Sequence, residues 1–335
     1  MKKRRFVWIV LILPVTIFFL GPEPSKPKMS TDLPVVSSNF DSLGIMIRKR
    51  EASLPVRPDN EARILWAGDS IHELTDYCLL YIHGFKASYY EGYPINTEFA
   101  KRYGCNAYFP RLASHGLITD DPLIDMTPDR LWEDAKESLM IARKLGRKVI
   151  IMCTSMGCSL GLQLAADYPE YVNGLILYSP NVRINNSAAY LLSGHWGLQI
   201  GRLFSGGKYR VTDDDPNSMD CRYWYCKYRV EGVVYLQQLV EATMKDETYS
   251  RVTAPVFMGY YFKDKEHQDP MAKVSAMLDM FDKLGTTDDR KVKQAFPDAG
   301  AHVIASEVTS GAVEAVKKAT FNFAEEILDM KPYQK

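Results

Sequence analysis

The sequence has no excess of either charge, because its 41 basic residues balance 41 acidic ones. A chain without a net field is not drawn to nucleic acid or to an anionic surface, so we expect no nucleic-acid partner. Cysteine is also sparse, with six residues in a chain of 335. Disulfides are therefore optional in this protein and are not its scaffold.

The cysteines fall into pairs with different expected roles. Cys153 and Cys158 lie in apolar surroundings, where they are expected to pack as small hydrophobic side chains. Cys221 and Cys226 are spaced to close a small loop if the domain is exported. Cys221 and Cys226 could bind a metal ion only with further ligands, and the nearby sequence offers none. We therefore expect no metal and no cofactor.

Long hydrophobic runs are missing from the chain except at its N-terminus. The basic residues Lys2 to Arg5 precede an uncharged run from Phe6 to Leu20. This run is shorter than the roughly 20 residues that span a bilayer, and Pro14 interrupts it, which is typical of a signal peptide or a short anchor. No small-residue cleavage site follows, which favours an uncleaved anchor. We therefore expect an exported protein, held at the membrane by this segment, with its folded domain outside the cytoplasm.

Beyond this run, apolar strand-like and helix-like segments alternate. Strands are predicted at residues 62–67, 77–82, 106–109, 149–153, 175–178, 255–262 and 292–296. Helices are predicted at 94–103, at 127–145, after Ser155 to residue 166, between the last two strands, and at 311–328. This alternation predicts an α/β fold with a mostly parallel, doubly wound sheet.

The alternation is interrupted once, by an aromatic and loop-rich stretch that is predicted to be an insertion over the sheet. The predicted parts of the chain are a signal-anchor or signal peptide at 1–20, a proline-rich linker at 21–38, a core at 39–181 and 246–335, and a cap insertion at 182–245.

The turn from Cys153 to Gly157 constrains the chemistry more than any other segment. It separates a β-branched run from a run of helix formers. A sharp turn from strand to helix exposes Ser155 at the carboxyl edge of the sheet, beside the free N–H groups of a helix N-terminus. The usual pattern for such a turn is G-x-S-x-G, and Cys153 stands in place of its first glycine. The alternative role for Ser155 is an ordinary helix N-cap.

A serine nucleophile needs a general base, and the base needs a group that orients it. Asp264 comes just past an apolar strand, and His302 lies in a loop of small residues after the last strand. Glu266 and Asp269 are the alternatives for the acid. Because the order of serine, acid and histidine, each after a strand, suits this architecture, we predict a catalytic triad of Ser155, Asp264 and His302.

An acyl-transfer site also needs two N–H donors that stabilise an oxyanion. The turn supplies one of them, the backbone N–H of Met156. His83 and Gly84 directly follow a predicted strand, and the glycine lets the chain bend so that the N–H of Phe85 faces the serine. The side chain of His83 is expected to be structural and bonded to a neighbouring loop.

These residues together resemble the α/β-hydrolase superfamily, near its carboxylesterase and monoacylglycerol-lipase-like members. Three segments carry the resemblance: the oxyanion-like loop His83-Gly84-Phe85, the segment Pro110–Gly116 that ends in His-Gly, and the elbow-like Ser155-x-Gly157. The resemblance covers residues 39–328 and implies an α/β-hydrolase fold with a cap. A serine at the nucleophile position argues against epoxide hydrolase and dehalogenase chemistry, since those relatives have aspartate there.

The resemblance implies hydrolysis of acyl esters through a covalent acyl-enzyme. The aromatic cap favours small apolar esters or monoacylglycerol-like substrates, and attachment of the cap to the core is the alternative role of its aromatic residues. A thioesterase, an amidase or peptidase, and an acyltransferase share the same triad and stay open as alternatives. A non-catalytic binding protein with this fold is the alternative from a different class.

Overall fold

The computed structural model describes residues 16, 18–37, 39–68, 72–212, 215 and 217–333. Most of the predicted signal-anchor segment at 1–20 lies outside these residues. In the described part of the chain, no helix is both long enough and apolar enough to cross a membrane. The membrane anchor therefore stays a prediction.

A twisted sheet forms the centre of the fold. The strands are, in chain order, Arg63–Leu65 (β1), Thr75–Ile82 (β2), Asn106–Phe109 (β3), Gly146–Thr154 (β4), Gly174–Tyr178 (β5), Tyr209–Val211 (β6), Lys227–Arg229 (β7), Val256–Tyr260 (β8) and Lys291–Ala295 (β9). The sheet has the order β1-β3-β2-β4-β5-β8-β9, and β6 pairs with β7 in a separate antiparallel hairpin. Strand β1 is antiparallel to β3, and the other neighbours in the sheet are parallel. The prediction of a mostly parallel sheet is confirmed.

Helices connect the parallel strands. They are Phe40–Ala52 (α1), Ile95–Arg102 (α2), Pro128–Leu145 (α3), Met156–Asp167 (α4), Gly197–Phe204 (α5), Met219–Tyr223 (α6), Val230–Thr243 (α7), Asp246–Arg251 (α8), Val274–Asp282 (α9) and Val313–Glu326 (α10). Helix α3 begins as the sequence predicts, because the Thr127 hydroxyl accepts a hydrogen bond from the N–H of Arg130 and Pro128 occupies the first helical position.

Strand β4 separates two apolar layers. Val149, Ile151 and Cys153 point into the layer that contains α3 and α4. Ile150 and Met152 point into the opposite layer, which contains α2 and α10. Successive side chains of a strand alternate between its faces, so a continuous apolar strand requires helices on both sides. This arrangement brings the carboxyl ends of the parallel strands to one edge of the sheet.

The segment predicted as the cap, at 182–245, packs over that edge. It holds α5, α6, α7 and the β6–β7 hairpin. Cys221 and Cys226 form a disulfide that closes the short loop between them. In that loop, the N–H of Tyr225 donates to the carbonyl of Lys86, which lies just past β2, at 2.8 Å. The cap is thus bonded directly to the loop predicted to hold an oxyanion, while its bounds stay a prediction.

Candidate active site

Ser155 occupies the turn between β4 and α4 in a strained backbone conformation. Its φ is 54° and its ψ is −118°, a region that non-glycine residues rarely adopt. Hydrogen bonds to the neighbouring strand and its loop hold the turn: the N–H of Ser155 donates to Tyr178 O at 3.0 Å, and the N–H of Asn181 donates to Ser155 O at 3.1 Å. The side chain is 7% exposed. A serine with a strained backbone, held by hydrogen bonds at the carboxyl edge of a sheet, has the geometry that is typical of a nucleophile elbow.

Gly157 lets helix α4 approach the end of strand β2. A Cβ at this position would lie 2.1 Å from Ile82 O and 2.6 Å from His83 O. Both atoms belong to the backbone, so neither can rotate away to make room. The glycine retained in the imperfect motif is therefore the one that the geometry requires.

Cys153, which replaces the other glycine of the motif, is fully buried against helix α4. Its Sγ lies 3.5 Å from the position that a Cβ would take on Gly161. The missing side chain of Gly161, in helix α4, therefore makes room for the Cys153 side chain on the strand. Cys153 also forms a disulfide with Cys158. The expectation that these two cysteines pack as separate small side chains is therefore wrong, because the sharp turn brings them within bonding distance.

His302 is held by Asp269 and not by Asp264. Asp269 Oδ2 lies 2.7 Å from His302 Nδ1. Two backbone N–H groups, those of Met271 and Ala272, donate to the other oxygen at 2.8 and 2.9 Å. Because an ionised carboxylate only accepts hydrogen bonds, Nδ1 of His302 carries the proton and Nε2 of the neutral ring is left without one.

Asp264 was predicted as this acid, and the structure corrects that prediction. Its carboxylate is exposed and accepts hydrogen bonds from the N–H and Nδ1 of His267. The chain after β8 turns back on itself, because Phe262 pairs with Gln268 and the N–H of Asp269 donates to Tyr261 O. Asp264 lies at the tip of this turn, whereas Asp269 returns to the level of the sheet edge.

The charges around His302 oppose the effect of its burial. Burial lowers the pKa of His302, but the charge and hydrogen bond of Asp269, with the charge of Glu91, outweigh this effect and raise the pKa above its usual value. Burial raises the pKa of Asp269, but His302 and the two backbone N–H groups outweigh it and hold the pKa below its usual value. Asp269 therefore stays ionised and stabilises a protonated imidazole.

Two buried histidines shape the loop after β2. Nε2 of His83 accepts from the N–H of Leu112 at 3.2 Å, so its Nδ1–H donates to Gly84 O at 2.9 Å. Nε2 of His115 accepts from the N–H of Lys86 at 3.1 Å, and its Nδ1 lies 2.9 Å from Ala113 O. Burial lowers the pKa of His83 to about 4 and that of His115 well below its usual range. Both rings are neutral and structural, as expected for His83.

Glu91 is a site residue that the sequence did not reveal. It lies in a 3₁₀ turn, Tyr89–Gly92, and is 2% exposed. Its carboxylate accepts a hydrogen bond from the N–H of Gly84 and interacts electrostatically with His302. No local pattern marks this residue, because tertiary folding alone brings the turn to the sheet edge. Among the described residues, no group of three potential ligands is placed to bind a metal ion.

Known proteins resemble this chain in sequence over one segment and in fold over most of its length. The model of the serine aminopeptidase S33 family matches residues 126–264. A solved structure from work on the metagenome-derived lipolytic enzymes LipS and LipT has a TM-score of 0.65 at 16% identity, covering 81% of this chain and 99% of that one. The monoacylglycerol lipase of Paleococcus ferrophilus has a TM-score of 0.56 at 12% identity, covering 81% and 98%. None of the curated proteins matches the sequence.

The chain has the α/β-hydrolase fold. Est1E from Butyrivibrio proteoclasticus, solved with ferulic acid, also has a similar structure, with a TM-score of 0.53 at 16% identity over 80% of this chain and 95% of that chain. At such identities the structural likeness establishes a shared fold. The family match includes the elbow at Ser155 and ends at Asp264, before Asp269 and His302.

Proposed function

We propose that this α/β-hydrolase cleaves carboxylic esters through an acyl-enzyme formed on Ser155. His302 removes the Ser155 proton as the hydroxyl attacks the ester carbonyl, and Asp269 stabilises the resulting imidazolium. Water then attacks the acyl-enzyme with the same base and releases the acid. One observation carries the proposal. The strained turn at Ser155 lies at the edge of the sheet where the buried carboxylate of Asp269 orients His302, and Nε2 of that ring carries no proton.

The oxyanion of the tetrahedral intermediate is stabilised, in this proposal, by the backbone N–H groups of Phe85 and Met156. The contact between the elbow and the loop supports this assignment, since the Cβ position of Gly157 lies against His83 O. The bonds of His83 and His115 fix the loop on either side of Phe85. A loop fixed before the substrate binds needs no reorganisation as charge develops.

The proposed substrates are small apolar esters or monoacylglycerol-like esters. Phe85 and Tyr228 meet edge to face at 5.3 Å between ring centroids, where the loop meets the cap. Apolar side chains beside a nucleophile suit an apolar acyl or aryl group. The named activities of the structural relatives, which include lipolytic enzymes and a monoacylglycerol lipase, support the same class.

A fluorophosphonate probe tests the nucleophile. The expected result is covalent labelling of the full-length protein and no labelling of Ser155→Ala. Ser159→Ala is the matched control, because Ser159 is a buried serine on helix α4, which follows Ser155, and its hydroxyl donates to Asn181 O. Circular dichroism of each variant establishes that it is folded. A folded wild-type protein that resists the probe would contradict the proposed function and favour the non-catalytic alternative.

A second candidate is cleavage of an amide bond, as in an amidase or peptidase. The match to the serine aminopeptidase family favours it. A panel of acyl esters of several lengths, monoacylglycerols, thioesters and aminoacyl amides separates the candidates, with transfer to an added alcohol as the measure of acyltransferase activity. Faster turnover of amides than of esters would replace ester hydrolysis by this second candidate.

We also propose that the protein is exported and held at a membrane by its N-terminal segment. The basic residues before the run from Phe6 to Leu20 support this orientation. The two disulfides support an oxidising compartment, where such bonds persist. Fractionation of cells that produce the full-length protein tests the proposal, and recovery of the whole protein in the soluble cytoplasmic fraction would overturn it.

A further inference from the structure

Glu91 joins three parts of the molecule at the proposed active site. Its carboxylate accepts a hydrogen bond from the N–H of Gly84, in the loop after β2. The side chain of Trp224, which belongs to the disulfide-closed loop of the cap, is close enough to this carboxylate to favour its ionised form as a hydrogen-bond donor and so lowers the pKa of Glu91. Glu91 and Trp224 are 2% and 6% exposed. A carboxylate this deeply buried is rare unless it is paired, so its partners define its role.

The carboxylate of Glu91 is also close to the proposed nucleophile. A Cβ on Gly84 would lie 2.9 and 3.0 Å from the two carboxylate oxygens and 3.0 Å from Ser155 Cβ. The backbone of Gly84 thus contacts Glu91 and Ser155 at once. Any side chain at position 84 would push the two apart, and this close approach explains the glycine better than backbone conformation does.

The groups that face Glu91 are mostly positive or hydrogen-bond donors. His302 and Lys86 attract its charge, and burial together with the charge of Glu91 raises the pKa of the Tyr81 phenol. Burial raises the pKa of Glu91 to about 7, although the Gly84 N–H, His302, Trp224 and Lys86 all favour the ionised form. His302 in turn faces two carboxylates, Asp269 and Glu91.

We propose that Glu91 is a positioning residue of this site, which ties the cap to the oxyanion loop and presents a second negative charge to His302. The inference rests on the proposed function. The Gly84 N–H bond holds the loop with the next N–H, that of Phe85, left for an oxyanion. Above about pH 7, where Glu91 is ionised, its charge favours the imidazolium that forms when Ser155 loses its proton, and it also keeps His302 protonated to higher pH in the free enzyme.

Glu91→Gln tests the inference because the amide keeps the shape of the side chain and loses its charge. With less negative charge nearby, His302 becomes neutral at lower pH. The rising limb of kcat/KM against pH should therefore move to lower pH. The plateau value of kcat should fall by about tenfold to a hundredfold, because the loop is less firmly positioned and the imidazolium is less well stabilised. A residue with only a structural role would lower activity without moving the limb.

Two further variants complete the design. Trp224→Phe removes the hydrogen bond that favours ionised Glu91, so it should move the limb in the same direction by a smaller amount. Glu307→Gln is the matched control, because Glu307 is an exposed carboxylate that accepts a hydrogen bond from the Tyr90 hydroxyl. If Glu91→Gln does not fold, Trp224→Phe provides the test.

The titration of His302, followed by NMR in the full-length wild type and in the variants, separates the two proposals. A wild-type protein without esterase activity whose His302 pKa still falls in Glu91→Gln would overturn the proposed function and keep the electrostatic role of Glu91. An active wild type whose pH profile and His302 titration are the same in Glu91→Gln, Trp224→Phe and Glu307→Gln would overturn the role of Glu91 alone.

Discussion

Asp269 binds the ring of His302 through a 2.7 Å contact with Nδ1, although 33 residues separate the two in sequence. The contact forms because two loops, one after β8 and one after β9, meet at the carboxyl edge of the sheet. Asp269 is fully buried there, and its other oxygen is bonded to the backbone. The pair fixes the ring and its tautomer before any substrate binds.

Asp269→Asn should therefore remove most of the activity. An amide in place of the carboxylate favours the wrong tautomer of His302 and no longer stabilises the imidazolium. We expect kcat for a chromogenic ester to fall by about 10³- to 10⁴-fold while the fold is retained. Steady-state kinetics with the folded variant, checked by circular dichroism, measure this loss.

The matched control for that variant is Asp264→Asn, at the exposed tip of the same loop. Its carboxylate bonds only residues of its own turn among the described contacts, so we expect kcat to change by less than about twofold. A larger loss in Asp264→Asn than in Asp269→Asn would restore Asp264 as the acid.

The sequence located the strands and the elbow because those features depend on local pattern. The β-branched run before Ser155 and the helix formers after it are enough to place a strand, a turn and a helix. The choice between Asp264 and Asp269 depends instead on where the chain reverses, and the hydrogen bond from Asp269 N to Tyr261 O that marks the reversal is tertiary. Glu91 was missed for the same reason, since its partners are 7 and 133 positions away in the chain.

The pH dependence of activity follows from the charges around His302. Its pKa is raised by Asp269 and Glu91 above the usual value of about 6.5, and only the neutral ring accepts the Ser155 proton. We therefore expect kcat/KM to rise with pH through a pKa above about 6.5. Initial rates from about pH 5 to about pH 9 at constant ionic strength measure it. An inflection at or below the usual value would show that the two carboxylates do not act on the base.

Gly157→Ala should destabilise the protein, because the added methyl group meets two backbone carbonyls. The Cβ would lie 2.1 Å from Ile82 O, so strand β2 and helix α4 must move apart at a cost of about 1–3 kcal/mol or more. The midpoint of thermal unfolding measures the loss. Gly194→Ala is the control, because the nearest atom there is 4.0 Å from the added Cβ. Equal midpoints for the two variants would mean that the turn accommodates a methyl group at position 157 without a loss of stability.

Stability should fall in mild acid because the histidines of the oxyanion loop are buried in their neutral form. The pKa of His83 is about 4 in the folded protein and about 6.5 in an unfolded chain, so the unfolded state binds protons first as pH falls. The stabilisation is complete above about pH 6.5 and is lost progressively down to about pH 4, at roughly 1.4 kcal/mol per pH unit. His115 acts in the same direction.

His83→Gln tests this dependence, because the amide retains a donor and an acceptor and does not titrate. The variant is expected to be less stable than the wild type near neutral pH, and the difference between them should shrink by about 3 kcal/mol at about pH 4.5. Urea unfolding at the two pH values measures the difference, with His267→Gln on the exposed loop as the control. A difference that stays constant with pH would mean that His83 has the same pKa in the folded and unfolded states, and burial would then not hold its ring neutral.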